Sequence, residues 1–197
     1  MFFWALMISF SGSLPIGTLN VSVANLIINQ GLFASVQFAA AAILAEVLVV
    51  RIALTAVKKL NSFSRFFHII SILIVFLLAF ISLRAAFQMQ HPGDVLPFTG
   101  QWPFVAGFFI SILNPLHLPF WMGWTAALRS KEVLQDSAAA YNIYVMAIGT
   151  GTALAFFVYG LAGNLLIPVL YTQGNLLNWA MGIALLTMGL FQLYKLH

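Results

Sequence analysis

Residues 35–57 read SVQFAAAAILAEVLVVRIALTAV. Apart from Ser35, Gln37, Glu46, Arg51 and Thr55, every side chain in this stretch is apolar. A bilayer core of about 30 Å takes about 20 such residues wound as a helix. Lys58 and Lys59 follow at once, the cationic anchor expected where a span meets the cytoplasm. The stretch lacks the strict alternation of a barrel strand. It reads as a transmembrane helix with a carboxyl group at its midpoint.

Five more segments of this kind lie outward from it, at about 2–28, 66–88, 102–127, 138–162 and 174–194. Their separators are Asn29-Gln30-Gly31, the Lys58–Ser62 stretch, His91 to Gly100, Arg129 to Asp136, and Pro168 to Gly174. The composition agrees. Hydrophobic residues make up 62% of the 197 and charged residues only 6%, against about 25% charged in soluble domains. Too few charges remain to coat a water-facing surface. A soluble enzyme, a disordered chain and a nucleic-acid-binding module are excluded. The basic balance is a net charge of only +4, and it marks loops. No cysteine is present, so disulfides, thiol redox chemistry and thiolate metal sites are excluded. No His-rich loop or His-Glu-x-x-His motif points to a metal, and nothing points to another cofactor.

The fold expected is therefore an all-α integral membrane protein of six transmembrane helices, forming one transmembrane domain over residues 1–197. Lys58, Lys59, Arg65, Arg129, Lys131 and Lys195 fall on one side of a six-span arrangement. That side is cytoplasmic by the positive-inside rule, and both termini lie there. The start, Met1-Phe2-Phe3-Trp4, lacks the basic region of a signal peptide. It reads as the first helix.

Polar and helix-breaking residues deep in a bilayer are costly, and here they gather at one depth. Midway along the first segment stands Ser13-Leu14-Pro15-Ile16-Gly17-Thr18-Leu19-Asn20. Pro15 removes a backbone donor and clashes with the preceding turn; Gly17 lets the chain open further. Midway along the fourth stands Asn114-Pro115-Leu116-His117-Leu118-Pro119. A single proline often only kinks a membrane helix. Two interrupted helices at matching places in two halves form the pattern of transporters built from inverted repeats. The halves, about 1–90 and 100–197, hold three spans each, and an odd number forces opposite orientations. The similarity between them is architectural, with little residue identity. The expected substrate site is Pro15, Gly17, Thr18 and Asn20 with Asn114, Pro115 and His117. His117 has a plainer reading as a hydrogen-bonded helix histidine.

Glu46 is the one acid inside a span. Desolvation there favours its neutral form, which suits a group that carries protons; its plainer reading is a neutral acid bonded to a neighbouring helix. Arg51 is a second proton-coupling candidate, although five residues is about 140° around a helix, outside the usual pairing. It is also within snorkelling reach of the surface. Ala39 to Ala42, Ala45, Gly149 and Gly151 read as helix-packing positions.

With these residues in view, the chain resembles the lysine-exporter (LysE/RhtB) family of amino-acid exporters. The resemblance spans the whole chain and rests on Pro15, Gly17 and Asn20 in the first helix and Asn114-Pro115 in the fourth. The family shows Pro-Gly-Pro in helix one; Pro15-Ile16-Gly17-Thr18 lacks the second proline, as in a divergent branch. The resemblance implies proton- or ion-coupled export of amino acids or similar small solutes across a bacterial cytoplasmic (inner) membrane. The partners expected are an amino acid, a proton and the lipid bilayer, with a homodimer as one open arrangement and no nucleic acid. A metal-ion or other small-solute exporter of the same superfamily and a non-transporting assembly subunit stay open as alternatives. An intramembrane enzyme is not expected, because Ser11-Gly12-Ser13 is not a Gly-x-Ser-Gly nucleophile motif.

Overall fold

The computed structural model describes residues 1–14, 17–59, 102–114 and 117–194, with short helical pieces between 72 and 87. Among the described residues there is helix and no strand. The elements are α1 Phe2–Ser13, α2 Thr18–Asn29, α3 Leu32–Lys59, α4 Pro103–Ile112, α5 His117–Ser130 and α6 Ala138–Tyr194. Most of the third expected span, and the stretch around Asp94, lie outside the described residues.

Sequence explains the boundaries. α1 stops at Ser13, two residues before Pro15. α2 starts after Gly17, whose extended backbone (φ −142°, ψ 169°) is the usual geometry before a helix. The α2–α3 turn needs Gly31 at φ +86°, a left-handed conformation that glycine adopts without strain. Pro103 opens α4, where its missing N–H costs nothing. Ser137 Oγ accepts the N–H of Ala140 at 3.1 Å and so caps α6.

Two helices, Leu32–Lys58 and Ala138–Gly163, are long and apolar enough to cross a membrane. They coincide with the second and fifth segments of the sequence. The pairs α1–α2 and α4–α5 also qualify if each is one broken span, bent by 75° and 58°. The described residues thus supply two to four spans. One expectation differs: no loop interrupts the chain at Pro168–Gly174, and α6 continues through it. An internal proline deletes one helical hydrogen bond and bends the helix without requiring a loop.

The chain divides into two compact units. The first comprises Met1–Lys59 and Leu96–Ile167, the second Leu60–Val95 and Pro168–His197. Each unit draws on both halves of the sequence.

The first unit holds two apolar clusters. One joins Ala5 and Ile8 of α1, Val50 and Ala53 of α3, Trp121 of α5, and Tyr144 and Ile148 of α6. The other joins Val23 and Leu26 of α2, Phe38 and Ala42 of α3, Ala106 of α4, and Phe156 and Tyr159 of α6. Small residues let backbones touch, as their packing reading requires. A methyl group on Gly107 of α4 would collide with the Phe38 carbonyl of α3. Beside it Ser111 Oγ donates to Ala42 O at 2.9 Å. Leu44, Leu48 and Ile52 form an exposed ridge along α3, the apolar outer face that a lipid-facing helix presents.

In the second unit the helical pieces run antiparallel to the end of α6. Phe87 packs edge-on against Trp179 with ring centroids 4.7 Å apart. Leu83 covers Gly182, and Phe76 covers Gly189. Ile72, Ala79 and Ala86 are buried. Spacing by seven on both strands of the seam keeps small residues facing the partner.

Beyond α5, Asp136 collects three partners. Lys58 Nζ lies at 2.6 Å and Arg129 at 3.1 Å, and Tyr141 donates its hydroxyl at 2.6 Å. The hydrogen bond from Lys58 foremost, then that from Tyr141, pulls the carboxyl down to about 2 from 3.8. A depressed carboxyl stabilises the fold at every pH above its ordinary value and loses that contribution as pH falls through about 2. Both side chains of the Lys58–Asp136 pair are near half-exposed, so solvent screening keeps the effect small. Thermal unfolding in detergent between pH 4.5 and 2 should fall less steeply for Asp136→Asn than for the native chain. Gly107→Ala should lower stability by about 1–3 kcal/mol, the range for overpacking, because backbone cannot swing aside as a side chain can; chemical denaturation would measure it.

Candidate functional site

A broken helix inside an apolar bundle exposes the last carbonyls of one piece and the first amides of the next. At the first break two of the carbonyls, those of Ser13 and Leu14, are already matched. Asn20 Nδ2 donates to Ser13 O at 2.7 Å, and the Tyr159 hydroxyl of α6 donates to Leu14 O at 2.6 Å. Asn20 is buried and also bonds Tyr159. Sequence reasoning assigns Asn20 to a solute; the structure uses it to close the end of α1. The amide side differs: α2 begins on Gly17 with no side-chain cap. Thr18 is exposed there and accepts from Ser22 Oγ through its carbonyl.

At the second break Asn114 N–H donates to Ser111 O and His117 N–H to Asn114 O, each at 3.2 Å. His117 Nδ1 is buried without a hydrogen-bond partner. Pro15 and Pro115 themselves lie outside the described residues. The flanks of the two breaks meet: a methyl group on Gly12, at the end of α1, would come within 2.7 Å of the Phe120 ring, in the first turn of α5.

Glu46 sits on α3 between the two apolar clusters, after Ala42 and before Val49, and is 4% exposed. Its Oε1 accepts the indole N–H of Trp121 at 3.2 Å. Its Oε2 is buried and makes no hydrogen bond. Thr152 of α6 is the other polar side chain acting on the carboxyl, although it stands outside bonding geometry with Oε2. Thr152 occupies the matching level of α6, between Ile148 and Phe156. The layer between the clusters is polar.

Thr152 belongs to a chain of hydroxyls reaching α1. Ser9 Oγ donates to Ile148 O at 2.8 Å and lies 2.8 Å from Thr152 Oγ1. Ser13 Oγ lies 3.3 Å from the same oxygen. A hydroxyl has one proton and two lone pairs. Ser9 spends its proton on Ile148, so Thr152 donates to Ser9 and Ser13 donates to Thr152. One lone pair of Thr152 is left, and no proton is available for Glu46.

Arg51, the other coupling candidate, turns away: it donates to Asn142 Oδ1 of α6. The residues that sequence reasoning missed are Ser9, Trp121, Thr152 and Tyr159. Ser9 and Ser13 carry a signal in hindsight, since four-residue spacing puts both on one helix face. Thr152 closes the Gly149-Thr150-Gly151-Thr152 run. Among the described residues no group of three His, Asp or Glu side chains could hold a metal.

Removing the donor at the first break should strand the Leu14 carbonyl in an apolar setting. Tyr159→Phe is expected to lower unfolding stability by about 1–3 kcal/mol, more than a Tyr→Phe change on the lipid-facing surface. Compared with protein-family models, with curated proteins and with solved structures, the chain matches none.

Proposed function

We propose that the chain is a secondary transporter that exports amino acids or similar small solutes across the bacterial inner membrane, driven by protons, with both termini cytoplasmic. The observation that carries this reading is the buried, half-satisfied carboxyl of Glu46 at the level of two interrupted helices. An ionisable side chain at such depth is expensive and marks ion and substrate paths. Two broken helices meeting at mid-membrane are how inverted-repeat transporters build a site.

Two inverted repeats are supported by how the pieces of the two broken spans pair. α1, the first piece of one broken span, shares a cluster with α5, the second piece of the other. α2 likewise shares a cluster with α4. Two broken spans running in opposite directions pair their pieces this way. The uncapped start of α2 offers amides and the positive end of a helix dipole to a carboxylate. The ammonium of a zwitterion is left to Glu46 and to the second break at Asn114 and His117, because the Ser13 and Leu14 carbonyls of the first break have partners of their own. Deprotonated Glu46 attracts the ammonium; protonation from outside releases it outward, and proton loss to the cytoplasm resets the site. Arg51, bonded to an amide one helix away, serves as a surface anchor.

Glu46→Gln keeps the shape and removes the exchangeable charge. In proteoliposomes under an inward proton gradient, the native chain should extrude a preloaded labelled amino acid from a panel. The Gln variant should lose gradient-driven transport while remaining folded. Normal uphill transport by the variant would reduce Glu46 to a structural acid. Absence of counterflow for every solute on the panel would reject amino-acid transport.

A further inference from the structure

We propose that the cleft between α3 and α6 at the Lys58 end binds a phospholipid with a net negative headgroup, its phosphate held by Arg51 and Lys58 and an acyl chain laid along Leu44, Leu48 and Met146. The inference needs α3 and the first part of α6 to cross a bilayer, for which both are long and apolar enough. It does not depend on any transported solute.

Arg51 and Lys58 are seven residues apart, so they share one face of α3 about 10 Å apart along its axis. Their charged ends come closer than that, because α6 gathers them. Arg51 donates to Asn142 Oδ1, and the Lys58 ammonium lies 4.7 Å from the centre of the Tyr141 ring. Both side chains thus end on neighbouring residues of α6. With Leu54, Thr55 and Tyr141 they line an open concavity of about 200 Å³. Pockets that enclose a small molecule hold roughly 300–1,000 Å³; this smaller, open hollow suits a headgroup that stays at the membrane surface. Its charges do not cancel. Lys58 and Arg129 share one carboxylate, Asp136, and the partner of Arg51 is a neutral amide. Three cations against one anion leave two positive charges in excess. The Lys58 side chain is still 42% exposed, and a guanidinium has five N–H donors, so both cations have donors to spare. The Thr55 hydroxyl is spent on Arg51 O, which leaves a phosphate to the two cations.

An apolar strip continues from the concavity, and it selects a lipid over a free phosphate. Leu48 and Leu44 stand three and seven residues before Arg51, on its face of α3, and both are exposed. On α6, Met146 stands four residues after Asn142 and is 68% exposed. The two helices run antiparallel, with Asn142 at Arg51 and Gly149 against Ile43 and Val47. That register sets Met146 level with Leu48. A methyl group on Gly149 would lie 3.4 Å from Ile43 Cγ2, so the helices close up there and floor the strip. One groove results, cationic where the span meets water and apolar along the bilayer. An anionic lipid matches both parts. A soluble phosphate matches only the first, and a zwitterionic lipid brings a cation of its own towards Arg51 and Lys58.

The test is native mass spectrometry of the full chain in detergent, with phosphatidylglycerol and phosphatidylcholine of the same acyl chains at matched concentrations. The native chain should prefer phosphatidylglycerol, by about fivefold for each cation it meets, the effect of a basic residue beside an anionic bilayer. Arg51→Gln should cut that preference about fivefold. Lys131→Gln removes a cation of the α5–α6 turn, outside the groove, and should leave the preference unchanged. Thr55→Glu sets a carboxylate between the two cations and should abolish it. Should Arg51→Gln fail to fold, Thr55→Glu decides. Equal binding of the two lipids, or a preference that survives Arg51→Gln or Thr55→Glu, would overturn the site. An equal fall in Lys131→Gln would overturn it too, by showing that positive charge anywhere at this end suffices. Glycerol 3-phosphate at millimolar concentration should leave the lipid bound; displacement by it would overturn a lipid as the occupant.

Discussion

The middle of an apolar helix bundle excludes water, so each polar group placed there must find its partner within the protein. That constraint organises the first unit. The helices break between Ser13 and Thr18 and between Ile112 and His117, and each break releases backbone groups that apolar side chains cannot satisfy. At the first break Asn20 and Tyr159 take up the two carbonyls. Tyr159 reaches it from α6, more than a hundred positions along the chain, which ties the break to the second half. Hydrogen bonds hold both sides of the break in place.

The same constraint explains why polar residues occupy a layer instead of being scattered. Glu46 and Thr152 sit at the junction of two apolar clusters, one built around Trp121 and Ile148 and one around Phe38 and Phe156. A single polar side chain in either cluster would be desolvated without compensation. Trp121 turns its indole N–H into that layer while its ring stays in the apolar cluster. What remains unmatched is Glu46 Oε2. The bundle thus satisfies Ser13 O and Leu14 O and leaves one carboxyl oxygen bare.

Much of this was legible before any coordinates. The apolar run 35–57 predicts α3 because length and composition suffice to identify a membrane helix. The run 138–162 predicts the first part of α6 for the same reason. Pro15 and Asn114-Pro115 mark the helix breaks because proline acts locally through its own ring. The partners of those breaks were not legible. Asn20 looks like a ligand by type, and only its distance to Ser13 O shows it capping α1. Tyr159 and Thr152 matter through contacts across the sequence, which no local spacing encodes. Arg51 fails as a partner of Glu46 for a reason the sequence does contain, its angular offset around α3. Its actual partner, Asn142, is again a matter of packing. The continuation of α6 through Pro168 shows the opposite limit: a proline flanked by apolar residues can bend a helix or end it, and its neighbours in sequence do not decide which.

Gly151 joins packing to chemistry. Its packing reading holds, since its missing side chain lets α1 approach α6 to backbone contact at Leu6 and Phe10. That approach is what sets Ser9 within 2.8 Å of Thr152 and of Ile148 O. A hydrogen bond weakens steeply once its heavy atoms separate beyond about 3.2 Å, so a side chain at position 151 would push α1 outward and break both bonds together. The small residue and the hydroxyls are therefore one device: the glycine supplies the distance, and the hydroxyls give that distance a direction.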